Sequence, residues 1–470
     1  MLQEYHFISS NIDDENAVFH TPTNAVFLLK KKSFDVFQSY ISGKSIDNIS
    51  AETNLPKDEI NRFLSEINSR VAKKNVIKKK YDVNILDRIT LHIANDCNLN
   101  CSYCYARGGR YSEPQKLMPE EKAIEIMDFF ITNFVQINSL VFFGGEPLLN
   151  ARVIKKICEY LLDLFKKKKM TYLPEFVIIT NGTIINNEII KLIRDYKITL
   201  TVSIDGPKEI NDLHRVFKNN RGSYNRIHRF IDILQKNTSA KILFESTFTK
   251  DHLSMNYSED NIHNFMKKEF GIYGTVVPVQ NYNENHIYEP EQNENTQFFR
   301  KMSAMFNEPD NPEIIFNDDV VNTLNNLANC IPKEMCPIGS KMIAVSVDGK
   351  IYPCHINVGK EHLCLGNIAG ENIFTNPEKF TESHPYIKLI LKDTEPCKTC
   401  WARNLCGGCS LRGFFDNKTN TFLTHPREDF CKLQKEFISE LILKSAKLQS
   451  DRSKWEKFIT RLGKKKRRKY

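Results

Sequence analysis

Apolar and polar positions alternate along this chain in two rhythms. Within residues 1–80, short apolar stretches at Tyr5 to Ile8 and Ala17 to His20 read as strands, with Asp13, Asp14 and Asn16 as turn chemistry between them. The period then lengthens. Phe34, Phe37, Tyr40 and Ile41 share one helical face after Ser33 as N-cap, and Ile60, Phe63, Leu64, Ile67 and Val71 form a second stripe. A small α/β module is predicted, ending in the linker KKNVIKKKY.

Between residues 85 and 290 the pattern is one of βα units. Apolar runs at Arg88 to Ile93, Ser139 to Phe143, Glu175 to Thr180, Ile198 to Ile204, Lys241 to Phe248 and Gly274 to Val279 are separated by amphipathic stretches such as Pro119 to Phe134 and Ala151 to Lys166. Repeated units of this kind predict parallel strands with right-handed crossovers, as a barrel or an open sheet. In parallel barrels functional groups gather at the C-terminal strand ends. The runs CNLNCSYC, GGEP, TNG and SIDG follow the first four strands there. From residue 300 to 450 periodicity fades, Gly and Pro recur around cysteines, and the stretch from Cys330 to Cys431 is predicted to fold around metal. One helix, Phe437 to Leu448, precedes a basic tail at 451–470.

Composition narrows the class. Hydrophobic residues at 41% and charged residues at 26% describe an ordinary globular protein of several domains. No apolar run approaches the ~18 residues of a membrane span, and the acidic, aromatic start MLQEYHFISSNIDDEN is not a signal peptide. A cytoplasmic protein without a membrane partner is expected, and in a reducing compartment its 13 cysteines point to metal or catalytic use rather than disulfides. The net charge of +9 sits in short runs, Lys73 to Lys80, Lys166 to Lys169 and the terminal KKKRRKY, that read as solvated faces. Nucleic-acid binding is not the expectation from such runs, and an acidic peptide or electron donor is an equally cheap explanation of them.

The chemistry lies in the thiols. Cys97, Cys101 and Cys104 are spaced x3 and x2, so that one tight loop aims three thiolates at a centre that would normally need four; an iron–sulfur cluster held this way keeps one iron free for a small molecule. A zinc site with an unseen fourth ligand is the alternative. Gly144 and Gly145 permit close backbone approach, and Glu146 can accept hydrogen bonds from an ammonium. Asn181 and Ser203 stand at later strand ends, where simple loop capping also explains them. A second group runs Cys330, x5, Cys336, x17, Cys354, then Cys397, x2, Cys400, x5, Cys406, x2, Cys409, x21, Cys431. Zinc ribbons also use CxxC pairs. Cys158 lies on an apolar helix face as a core thiol, and Cys364 has no assigned role.

These motifs together resemble the radical S-adenosylmethionine (SAM) superfamily, in which an aromatic residue, here Tyr103, stands beside the third cysteine. The resemblance implies that SAM completes the coordination of a [4Fe–4S] cluster and is cleaved to methionine and a 5′-deoxyadenosyl radical. It further implies GGEP at the methionine amino group, Ser203 near the ribose and Arg215 on the carboxylate. The later cysteines resemble the SPASM extension of radical SAM peptide-modifying enzymes. That likeness implies two auxiliary clusters, on Cys330, Cys336, Cys354 and Cys409 and on Cys397, Cys400, Cys406 and Cys431, hence three [4Fe–4S] clusters in all. Two residues rather than the usual three separate Cys406 from Cys409.

The implied fold is α/β: a partial (β/α)6 radical SAM barrel, an N-terminal winged-helix-like peptide recognition module and a C-terminal cysteine-rich SPASM domain. LHIANDCNLNCSYCYA, FFGGEPLLN and IYPCHINVG look like thioether-forming (SCIFF/ranthipeptide-type) maturases of ribosomally made peptides. The partners implied are a cysteine-containing precursor bound through its leader and a reductant such as flavodoxin or ferredoxin. Anaerobic sulfatase-maturating enzymes are the alternative; their pattern has aspartate where this chain has His355. A non-catalytic iron–sulfur peptide-binding or electron-transfer protein, and DNA binding through the first 80 residues, are further readings.

Overall fold

The computed structural model describes residues 4–9, 15–72, 84–279, 288, 302–308, 318–390 and 392–467. The linker expected at 73–81, the turn at Asp13 and Asp14, and the boundaries near 80, 290 and 300 fall outside the described residues.

Six parallel strands form the centre. They are β4 (Arg88–Ala94), β5 (Ser139–Gly144), β6 (Glu175–Thr180), β7 (Thr199–Ser203), β8 (Ile242–Phe248) and β9 (Thr275–Pro278), each paired with its predecessor in sequence. Helices α4 (Glu120–Asn133), α5 (Ala151–Lys166), α6 (Asn187–Asp195), α7 (Lys208–His214), α8 (Tyr224–Asn237) and α9 (Glu259–Phe270) lie between them. On α5, Val153, Ile154, Ile157, Cys158 and Leu161 form the buried stripe, which packs with Leu140 and Phe142 of β5 into the main core. Cys158 is the core thiol its spacing predicts.

The sheet continues past the barrel. Strand β10 (Met342–Val345), from the cysteine-rich part, pairs parallel with β4, Met342 opposite Arg88 and Val345 opposite Leu91, and β11 (Ile351–Tyr352) returns antiparallel. The cysteine-rich part is therefore joined to the barrel by main-chain hydrogen bonds rather than by side-chain packing alone.

The N-terminal strands β1 (Tyr5–Ile8), β2 (Glu15–His20) and β3 (Ala25–Lys30) form an antiparallel meander in that order. One face, with Val18, Ala25 and Phe27, packs under α1 (Lys31–Ile41), α2 (Ile46–Thr53) and α3 (Lys57–Ala72). Helix α1 starts directly from β3 with extended Lys30 as its cap, so Ser33 lies inside the first turn and is not the N-cap expected from sequence. The opposite face, with Ala17 and Phe19, shares a core with α10 (Asp318–Ala328), α11 (Glu428–Ser450) and α12 (Arg452–Arg467). Two expectations are corrected by this packing. The helix predicted at Phe437 to Leu448 is far longer, and the tail from 451 is mostly helical because Trp455 and Phe458 pack against that shared core. Among the described residues no helix is long and apolar enough to cross a membrane.

Candidate active site

The three-cysteine loop leaves the C-terminal end of β4. Asp96 Oδ1 accepts from the Cys97 amide at 2.9 Å, the Leu99 amide approaches Cys97 Sγ at 3.4 Å, and the Cys104 amide donates to the Cys101 carbonyl at 3.1 Å. Burial is the chief reason that the Cys97 thiol is pushed up to about 12 and the Cys101 thiol to about 11; neighbouring thiols add to both, and Arg215 opposes the rise at Cys101. Thiols so placed ionise only when a cation shares the loop, which is the condition a cluster site meets.

Gly144 and Gly145 bring the end of β5 against this loop. A Cβ on Gly145 would stand 2.1 Å from the Asp96 carbonyl oxygen and 2.9 Å from Gly109 Cα, both backbone atoms with little room to yield. The Gly145 amide also donates to Ala94 O at 2.8 Å. Gly145→Ala is therefore expected to cost about 1–3 kcal/mol and to displace the cysteine loop. Thermal unfolding and iron content after reconstitution check this, and full iron content at wild-type stability would contradict it.

Glu146 has a different place from the one expected. Its carboxylate is fully buried and off the cavity wall; Oε1 accepts from the Leu148 amide at 3.0 Å and Thr180 Oγ1 at 2.8 Å, and Oε2 from the Asn181 amide at 2.7 Å. Burial pushes its carboxyl up to about 7 against those three donors. The side chain braces β5 against β6. Asn181 also serves the loop, with Nδ2 donating to Asn98 Oδ1 at 2.9 Å and lying 3.6 Å from Cys97 Sγ.

On the other side Tyr103 and Arg215, both candidates from the sequence, join a buried Asp205 that was not one. Tyr103 Oη donates to Asp205 Oδ2 at 2.6 Å and accepts from Arg215 Nη1 at 2.9 Å, with Arg215 Nη1 4.0 Å from Asp205 Oδ1. Asp205 is the acidic member of the SIDG run, and the run's position after a strand was its only signal. Arg215 Nε is buried without a partner and the side chain lines the main cavity, so the guanidinium keeps a donor for a carboxylate. SAM fits this cradle.

That cavity, ≈ 800 Å³, is walled by Cys97, Cys101, Cys104, Gly144, Gly145 and Ser203, and across from them by His355 and Cys409. Glu245 of β8, opposite Ser203 in register, also faces it. Glu245 and Cys409 are both open to the cavity while lying deep in the protein, and burial raises the Glu245 carboxyl and the Cys409 thiol. Burial, with help from Arg88 and against Glu245, lowers the His355 ring to about 4.

The remaining thiols fall into two sets. The Cys336 amide donates to Gly408 O at 2.8 Å, bringing Cys336 beside Cys409, and the charges of Cys354 and Cys409 act on the Cys336 thiol, which burial pushes up to about 12. Cys330, buried at φ 53 just beyond α10, lines neither cavity. Cys397, Cys400, Cys406 and Cys431 all line a second, ≈ 40 Å³ cavity. Among the described residues no three His, Cys, Asp or Glu side chains converge as they would on a single metal ion. Four thiols around one small space fit an iron–sulfur cluster, whose irons hold their ligands apart.

An open parallel βα sheet with a cysteine triad and a carboxylate-ready arginine at its C-terminal edge defines the radical SAM fold. Residues 91–247 match the Radical SAM superfamily, and residues 336–401 match SPASM, an iron–sulfur cluster-binding domain. The barrel is thus a radical SAM domain and the cysteine-rich part a SPASM domain. The chain is 26% identical over 368 residues to a cysteine-type anaerobic sulfatase-maturating enzyme of Clostridium novyi, covering 75% of this chain and 94% of the relative. It is 24% identical over 343 residues to the antilisterial bacteriocin subtilosin biosynthesis protein AlbA of Bacillus subtilis, covering 70% and 68%. Among solved structures, anSMEcpe with bound AdoMet superposes with a TM-score of 0.60 at 22% identity, over 79% of this chain and 98% of that one.

Proposed function

We propose that the protein is a peptide maturase that joins a cysteine sulfur to a carbon of another residue in a ribosomally made precursor. One observation carries the reading: the SAM-cluster thiols and Cys409 of a second thiol set open onto the same cavity. Forming a sulfur–carbon bond removes a hydrogen atom from the acceptor carbon, a proton from the thiol and one electron. When bound, SAM and three [4Fe–4S] clusters supply the 5′-deoxyadenosyl radical for the first removal and a sink for the electron.

The chain's own groups do the rest. Arg215 Nε holds the SAM carboxylate, the Gly144–Gly145 backbone its amino group, and Ser203 faces its ribose. Glu245 lies between this end and His355 and receives the thiol proton. The second thiol set uses Cys336, Cys354 and Cys409, with Cys330 held aside and a fourth position left to the substrate sulfur; the third set uses Cys397, Cys400, Cys406 and Cys431. The leader adds as a strand to β1, whose only strand partner among the described residues is β2. Flavodoxin or ferredoxin is the reductant.

Sulfatase maturation is the second reading, favoured by the 26% identical relative. Against it, this chain has a neutral His355 ring at the position where that family's pattern has aspartate, and the carboxylate on the cavity, Glu245, comes from a barrel strand instead. Mass spectrometry after anaerobic reaction with a cysteine-rich precursor distinguishes the two: each thioether removes two hydrogens, whereas formylglycine formation removes the sulfur. A sulfur-free aldehyde product would overturn the thioether reading. Glu245→Gln is expected to lower crosslinking roughly 10²-fold, as loss of a proton acceptor does, while 5′-deoxyadenosine still forms.

A further inference from the structure

The second cavity has a cation in its wall. Lys392 is 7% exposed and stands in the left-handed region at φ 59, which is uncommon for a residue other than glycine. Its Nζ, enclosed with the rest of the side chain, donates to the carbonyl oxygens of Lys333 at 2.8 Å, Arg403 at 2.8 Å and Cys406 at 2.5 Å, which sets it apart from the exposed Lys168 and Lys197 that share its positive φ. Burial lowers the pKa of this ammonium, and the three carbonyl acceptors offset that cost, since they match its three N–H groups where a neutral amine has only two.

The positions of those carbonyls give the lysine its reach. Lys333 lies three residues before Cys336, Arg403 lies between Cys400 and Cys406, and Cys406 is itself one of the four thiols. Lys392 thus ties the loop of one thiol set to the loop of the other. None of the three partners is a carboxylate, so no anion neutralises the charge, and Lys392 lines the same cavity as the four thiols. Four thiolates around a [4Fe–4S] core leave a net negative group whose reduction adds a further negative charge. Net charge and hydrogen bonding near a cluster are what set its potential.

We propose that Lys392 is a positioning cation for the auxiliary centre: its fixed charge raises the reduction potential of the cluster on Cys397, Cys400, Cys406 and Cys431, and its three hydrogen bonds hold the Cys336 loop in register with it. The proposal rests on the reading of those four thiols as a cluster site but not on the nature of the peptide product.

The test is an EPR-monitored redox titration of the full-length, reconstituted protein, with the signal of this cluster identified by its loss in Cys406→Ala. Lys392→Met is expected to shift the one-electron equilibrium at least tenfold toward the oxidised form, a fall in midpoint of about 59 mV, whereas Lys392→Arg keeps the midpoint close to wild type. A Met variant with an intact cluster and an unchanged midpoint overturns the proposal. Where the Met variant loses the cluster, the Arg variant decides: retention at the wild-type midpoint supports a role of charge, and equal loss in both assigns the residue to packing and overturns it. Absence of the signal from wild-type protein would instead remove the cluster reading itself.

Discussion

Cys101→Ala is expected to abolish 5′-deoxyadenosine formation, by roughly 10³-fold or more, and to remove about four iron atoms per chain while auxiliary-cluster signals persist. Cys101 is almost wholly surrounded by protein, and its thiol stays protonated to about 11 unless a cation compensates it. With one of three thiolates gone, the loop offers two donors to a cluster that already lacks a fourth. No neighbour can take its place, because Ser102 is bound to His214 Nδ1 at 2.7 Å and Tyr103 to Asp205. The auxiliary thiols stand on other loops than the triad, so their clusters should assemble. Iron analysis, EPR and chromatography of the reaction mixture check each part, and undiminished 5′-deoxyadenosine would remove the triad from its assigned role.

Arg215 gives a graded companion to this result. Arg215→Met leaves Tyr103 and Asp205 bonded to each other but removes the buried Nε donor, so the KM for SAM should rise more than kcat falls. Equal kinetics in the variant would mean that the carboxylate is held elsewhere.

What was legible in the sequence had a local signal. Strands β4 and β5 are apolar runs buried almost throughout, β6 and β8 alternate buried with more open positions, and the α5 stripe repeats with helical period, so each announces itself within a dozen residues. The cysteine spacings are local too. What escaped depends on partners distant in sequence. Strand β10 is four residues in a stretch without periodicity, and its partner β4 lies some 250 positions earlier. The docking of the N-terminal sheet on α11 likewise required knowing which residues cover Ala17 and Phe19. Glu146 looked like a ligand because carboxylates at strand ends often are; only the fold shows Thr180 and Asn181 brought round to occupy it. Lys392 sits in a polar run, KDTEPCK, that reads as surface loop, and nothing local marks its ammonium as enclosed.

The contact between the N-terminal module and the second auxiliary set makes the next outcome more specific. His6 of β1 stacks on Trp401 at 3.6 Å between ring centroids, Asn404 Nδ2 donates to Thr21 O at 2.6 Å, and Cys400 and Cys406 flank this segment. The Cys400–Cys406 loop is therefore held against the N-terminal sheet.

Cys406→Ala removes one thiolate from that loop but leaves the backbone carbonyl that Lys392 grips, so the loop itself should persist. Crosslinking is expected to fall roughly 10²-fold or more, because the electron released on sulfur–carbon bond formation loses its route, while 5′-deoxyadenosine formation stays within about twofold of wild type. Uncoupled turnover of this kind separates an electron sink from a purely structural cluster: if the cluster served only to shape the peptide site, precursor affinity would fall with crosslinking. Binding of the precursor to Cys406→Ala, measured alongside both products, decides between them. Unchanged crosslinking would exclude the second auxiliary set from the reaction altogether.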